Sequence, residues 1–137
     1  MNLMSFLTPK DSTYYLESNS TIRQALEKFD YHKFSIVPLI DEEGHFISTI
    51  SEGDILRYVK NNCNFDIELA ENVRIDSLEK YRPYKSMDIT CNAREAFNLL
   101  LDQNFIPMVD GRGMFIGIIK RREVLLYLYD NMIGKEE

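Results

Sequence analysis

One offset dominates this sequence. Pro38 and Pro107, Gly44 and Gly113, Phe46 and Phe115, Ile50 and Ile119, and Tyr58 and Tyr127 each stand 69 positions apart. A single spacing held by that many residue types marks a tandem repeat of one supersecondary unit. In the first copy an apolar run around Pro38 passes through the turn signal Asp41-Glu-Glu-Gly44 into a second run, Phe46-Ile-Ser-Thr-Ile50. A helical pattern with Ile55, Leu56, Tyr58 and Val59 begins at once after Ser51. Pro107, Asp110-Gly-Arg-Gly113, Phe115-Ile-Gly-Ile-Ile119 and Lys120-Arg-Arg-Glu123 follow in the same order in the second copy.

Leu3, Met4, Phe6 and Leu7 predict an arm, ended by Pro9, that packs on the body or on a partner subunit. Tyr14-Tyr-Leu16 reads as a short extended piece. Ser20 or Thr21 is expected to cap a helix through about Tyr31, with Ile22, Ala25, Leu26 and Phe29 on its buried face. Residues 34–40 and 45–50 read as a hairpin and 52–61 as the second helix. Residues 62–86 are polar, with two weak helical stretches, and read as a partly structured connector. In the second copy 87–90 is extended, 92–103 helical with Ala93, Ala96, Phe97 and Leu100 inward, 104–109 and 114–119 a hairpin, and 121–132 the last helix. The tail Gly134-Lys-Glu-Glu137 is expected to fray. Each unit is thus β-α-β-β-α and cannot bury its own apolar surface alone. The expectation is an α+β fold of two repeats packed with pseudo-two-fold symmetry, divided 1–61, 62–86 and 87–137.

Composition narrows the function classes. Of 137 residues, 45% are hydrophobic, with 8 Phe and 8 Tyr, enough for a core and too many for disorder. The net charge of -6 argues against general affinity for nucleic-acid backbones or anionic membranes. Cys63 and Cys91 stand alone, without CxxC or a His at metal spacing, and read as free thiols. No apolar run approaches a membrane span, and the start, Met1 to Leu7, lacks the basic and apolar regions of a signal peptide. A cytoplasmic setting is the default expectation.

The stretches Ile36-Val-Pro-Leu-Ile-Asp41 with Ile50-Ser-Glu-Gly-Asp54, and Phe105-Ile-Pro-Met-Val-Asp110 with Gly117-Ile-Ile-Lys-Arg-Arg-Glu123, resemble a tandem cystathionine-β-synthase (CBS) domain pair, or Bateman module. The resemblance runs from Pro9 to about Asp130 and leaves no room there for an attached catalytic domain. It implies binding of an adenosine-containing ligand (AMP, ADP, ATP or S-adenosylmethionine) in clefts between the repeats, and assembly as disc-like dimers. An adenine nucleotide would be a regulatory ligand, with no cofactor required.

Carried over position by position, the first site comprises Ser35, Ile36, Thr49, Ser51, Asp54, Tyr84 and Lys85. Asp54 would receive the two ribose hydroxyls, because two carboxylate oxygens match a vicinal diol. A phosphate would sit near Ser51, at the amino end of the second helix. The other reading of Ser51 and Asp54 is a helix cap, and the two roles can coexist. Ser48 stands where the family has the glycine kept as Gly117. The second site comprises Tyr14, Asn104, Ile118, Lys120 and Glu123, and departs from the pattern at both polar positions, so it is expected to be degenerate. Lys120 either neutralises a phosphate or fills the ribose space and pairs with Glu123. Tyr14 and Tyr84 either stack on adenine or pack in the fold.

His32 and His45 lack a neighbouring nucleophile or metal ligand and read as surface residues. The sequence carries no Ser/His/Asp order, metal-ligand cluster or glycine-rich phosphate loop, so an enzyme is not expected. The leading expectation is a non-catalytic sensor reporting to an unknown protein partner. The alternative is a dimerisation or docking module that has lost its ligand. Leu125, Leu126, Leu128 and Tyr129 on one helix point to a homodimer.

Overall fold

The first helix begins where the sequence supplies a reciprocal cap. Thr21 accepts the N–H of Gln24 and the Gln24 side chain accepts the N–H of Thr21, which opens α1 at Ile22–His32. The helix stops where Lys33 turns left-handed at φ 59°. In this computed structural model residues 2–133 are described; Met1 and the tail 134–137, whose fraying was expected, lie outside them. Those residues form two compact units, one spanning Tyr14–Pro83 and the other joining the described residues up to Thr13 with those from Tyr84 onward.

The first unit holds β2 (Leu16–Glu17), α1, β3 (Ile36–Ile40), β4 (Phe46–Ser51) and α2 (Glu52–Asn62). Its sheet runs β2-β3-β4, with β2 parallel and β4 antiparallel to the central β3. Leu16, Ile22, Ala25, Phe29, Leu39, Ile50, Ile55 and Val59 fill its core. The connector differs from its expected role. Ala70, Ile75 and Leu78 are buried in that same core. The α1 amides of Ile22 and Arg23 donate to Val73 and Glu71. Residues 62–83 therefore complete the first unit instead of merely linking two, and their helical stretches are 3-10 turns at Ile67–Leu69 and Ile75–Ser77.

The second unit contains β5 (Met87–Asp88), α3 (Ala93–Leu100), β6 (Phe105–Val109), β7 (Phe115–Lys120) and α4 (Arg121–Met132). A fourth strand joins it. After a 3-10 turn at Leu3–Phe6, β1 (Leu7–Pro9) pairs antiparallel with β7, giving the order β1-β7-β6-β5. The arm thus groups with the second repeat, not with residues 14–61 as the expected boundaries had it. Leu3 lies in a core with Ala96, Leu100, Ile106, Met108, Ile119 and Val124.

The hairpins of the two units match in detail. Asp41 accepts the amides of Glu43 and His45, and Asp110 those of Arg112 and Met114, all between 2.8 and 3.0 Å. Gly44 and Gly113 supply the positive φ the turn needs. Both ladders slip by one residue at the same place, at Leu39/Ile40 and Met108/Val109.

Candidate functional site

Each hairpin brings the same backbone to the start of the helix that follows. In the first unit Ser35 O accepts the Glu52 N–H at 3.0 Å and Ile36 pairs with Ser51. In the second Asn104 O accepts the Arg121 N–H at 2.9 Å and Phe105 pairs with Lys120. The framework repeats; the polar groups mounted on it do not.

Ser51 Oγ accepts the Asp54 N–H at 3.1 Å, and Asp54 Oδ2 accepts the Ser51 N–H at 3.0 Å, so α2 opens on a complete capping box. The Ser51 hydroxyl retains its own proton and a second lone pair. Asp54 is 4% exposed. Its Oδ1 accepts the N–H of Tyr81 at 3.0 Å and lies 3.5 Å from Arg57 Nη1. The Arg57 guanidinium stands 4.1 Å over the Tyr81 ring, a cation–π contact. Burial pulls the Lys80 ammonium below its ordinary range, against the opposing charges of Asp54 and Asp76. A hollow of about 130 Å³ is lined by Asp54, Arg57, Tyr58 and Tyr81 among others. Pockets that enclose a drug-sized ligand are roughly 300 Å³ or more, so this hollow is smaller than a pocket of that kind.

The corresponding start of α4 is bare. Lys120 occupies the cap position without a side-chain cap, and both it and Glu123 are exposed. Among the described residues these two form no ion pair. Arg121 donates to Leu100 O at 3.2 Å and to Asn104 Oδ1, which ties α4 to the end of α3 and occupies the Asn104 acceptor. A groove of about 770 Å³ runs along α4 over Leu125, Leu126, Tyr129 and Met132.

The unit of Tyr14–Pro83 therefore brings together Ser35, Ile36, Ser51 and Asp54, with the fully buried Thr49 two residues before Ser51 on β4, opposite Pro38. Tyr84 and Lys85 belong to the other unit. There the Tyr84 ring meets Phe105 edge-on at 4.9 Å and its hydroxyl accepts the Asn104 N–H at 3.3 Å. The Lys85 backbone is clasped by the buried Gln103 side chain, which accepts its N–H at 2.7 Å and donates to its carbonyl at 3.1 Å. Ile118 sits mid-strand in β7, opposite Thr8 and Pro107. Tyr14 stacks at 3.9 Å on His32, which stacks in turn on Phe34. His32 is thus part of an aromatic stack, not the plain surface residue expected, and His45 faces Asp41 at 3.2 Å within the hairpin turn.

Gly117 also has a cause the sequence did not show. At φ +149° a Cβ there would collide with the Thr8 carbonyl, so β1 demands the glycine. Two residues at Asp54 escaped the sequence reading, Arg57 and Tyr81. Arg57 was within reach of it, since i, i+3 on a helix brings unlike charges together. Tyr81 was not, because no periodicity reports an amide folding back from 27 residues away.

Comparison with known proteins followed the same two segments. The sequence profile described as "CBS domain" matches residues 9–61 and 81–130. An uncharacterized 17.7 kDa protein of Acidianus ambivalens is 25% identical over 122 residues, covering 85% of this chain and 68% of its own. The chloroplastic CBS domain-containing protein CBSX2 of Arabidopsis thaliana is 25% identical over 144 residues, covering 88% of this chain and 60% of its own. The chain thus spans roughly two thirds of the length of these curated relatives. Its fold is similar to CBSX2 in complex with AMP (TM-score 0.73, 22% identity, 94% and 96% of the two chains). It is also similar to the CbpB protein of Listeria monocytogenes in complex with c-di-AMP (TM-score 0.82, 21% identity, 96% and 98%). Among the described residues no helix is long and apolar enough to cross a membrane, and no group of three or more His, Cys, Asp or Glu is placed to hold a metal.

Proposed function

The chain belongs to the CBS-domain family as a tandem pair, and from that premise we propose that it is a cytoplasmic, non-catalytic regulatory module whose ligand is an adenosine-containing nucleotide. The observation that carries this reading is the start of α2. There Ser51 and a buried carboxylate one turn on stand together at the positive end of the α2 dipole, while the second copy offers Lys120 and an exposed Glu123. One competent site per chain follows, holding ribose at Asp54 and a phosphate beside Ser51, with Ser35, Ile36 and Thr49 alongside. Tyr84 and Lys85 are proposed to reach the base, and Tyr14, Asn104, Ile118, Lys120 and Glu123 to form the degenerate counterpart. The complexes of similar proteins with AMP and with c-di-AMP support an adenine nucleotide as the ligand class.

Thermal unfolding with AMP, ADP, ATP, S-adenosylmethionine and c-di-AMP tests the proposal. A true ligand at about 100 times its Kd adds ~2.7 kcal/mol of stability. No shift with any of the five at millimolar concentration rejects it. A second reading, a docking and dimerisation module without a ligand, is favoured by one feature. Leu125, Leu126, Tyr129 and Met132 on α4 are each about half exposed or more, which is more apolar surface than a free helix presents. We propose a homodimer through this face under either reading, with the output passed to a protein partner.

A further inference from the structure

Asp54 accepts more hydrogen bonds from its own chain than a helix cap requires. Capping α2 uses Oδ2 alone, for the Ser51 amide. Oδ1 is engaged separately, by the Tyr81 N–H and by Arg57, and Arg57 covers the Tyr81 ring. Burial does not impose this arrangement, since Tyr81 is 60% exposed and the Arg57 side chain 48% exposed. The contacts hold a surface segment, Glu79 to Pro83, against a carboxylate that is itself almost fully covered.

A carboxylate offers about four lone-pair sites over its two oxygens, and a vicinal diol directs one hydroxyl to each oxygen. On Oδ1 a ribose hydroxyl meets the Tyr81 N–H at 3.0 Å and Arg57 Nη1 at 3.5 Å, and the nearer of the two is the donor it competes with. We propose that Asp54 is a latch. Tyr81 holds the oxygen that a ribose hydroxyl takes, and ligand entry releases residues 79–83, the last stretch of the first unit before the chain passes into the second. This rests on the reading of Asp54 as a ribose acceptor and adds to it how occupancy leaves the site. The latch lowers apparent affinity in proportion to the fraction of molecules in which it is closed.

The test is amide hydrogen exchange at Tyr81 in the whole chain, free, with AMP, and with 2′,3′-dideoxy-AMP, which keeps base and phosphate but lacks the diol. The Tyr81 amide is protected in the free protein, exchanges about tenfold faster or more with saturating AMP, and is unchanged by the dideoxy analogue. Arg57→Ala and Tyr81→Ala remove exposed side chains and keep the amide; weakening the latch raises AMP affinity roughly two- to fivefold. Lowered affinity in both variants would make Tyr81 and Arg57 ligand contacts and overturn the latch. So would AMP binding that leaves Tyr81 protection intact, and in that case the ligand reading survives. Absence of AMP binding in the wild type and both variants removes the ligand reading, and ligand-driven release falls with it.

Discussion

Asp41 and Asp110 perform one task in two places. Each carboxylate accepts two turn amides, and these hydrogen bonds lower its pKa from the ordinary 3.8. A depressed folded pKa contributes stability above the unfolded value and loses it as pH falls through the folded one. Melting temperature is therefore expected to be flat from neutral pH down to about 5 and to drop below about 4. Asp41→Asn and Asp110→Asn flatten that drop, which a series of thermal melts measures. The other acidic position of the repeat, Asp54 and Glu123, behaves unequally. Asp54→Asn turns an amide toward a backbone donor in a buried place and is expected to cost ~1–3 kcal/mol in urea unfolding. Glu123→Gln, on an exposed residue, should stay within about 0.5 kcal/mol. The turn aspartates, the cap and the Asp54/Glu123 difference were all legible in sequence, because each depends on neighbours within four residues. What Asp54 does with its other oxygen was not legible, because the donor lies far along the chain.

Elements were legible to the extent that their signal was local. The 3.6-residue spacing of Ile22, Ala25 and Phe29 located α1, and the prolines and turn glycines located both hairpins to within a residue or two. The arm and the connector were misjudged for one reason. Each is short, weakly periodic and made regular by partners distant in sequence: β7 for Leu7–Pro9, and α1 for residues 71–75. Gly117 records the first of these partnerships. Gly117→Ala brings a methyl group against the Thr8 carbonyl and within 3.0 Å of Leu7 and Pro9. It is expected to cost about 1–3 kcal/mol or to detach β1. Limited proteolysis after residue 10 together with denaturant unfolding distinguishes the two outcomes. Ser48, the matching position in β4, is half-buried and free of that constraint.

For the whole molecule, the face of α4 makes the firmest prediction. Light scattering is expected to return twice the mass of one chain. Leu126→Asp, which sets a charge on a half-exposed apolar position, is expected to return a single chain with little change in unfolding midpoint. A wild-type mass of one chain would remove the dimer. The division into units has its own consequence for biogenesis. Residues 14–83 are contiguous and can begin to pack as soon as they leave the ribosome, with every core partner already made. The arm of residues 3–9 has no such option: its strand waits for β7, more than a hundred residues later, so until β7 has been made Leu3, Phe6 and Leu7 remain bare and in need of shielding.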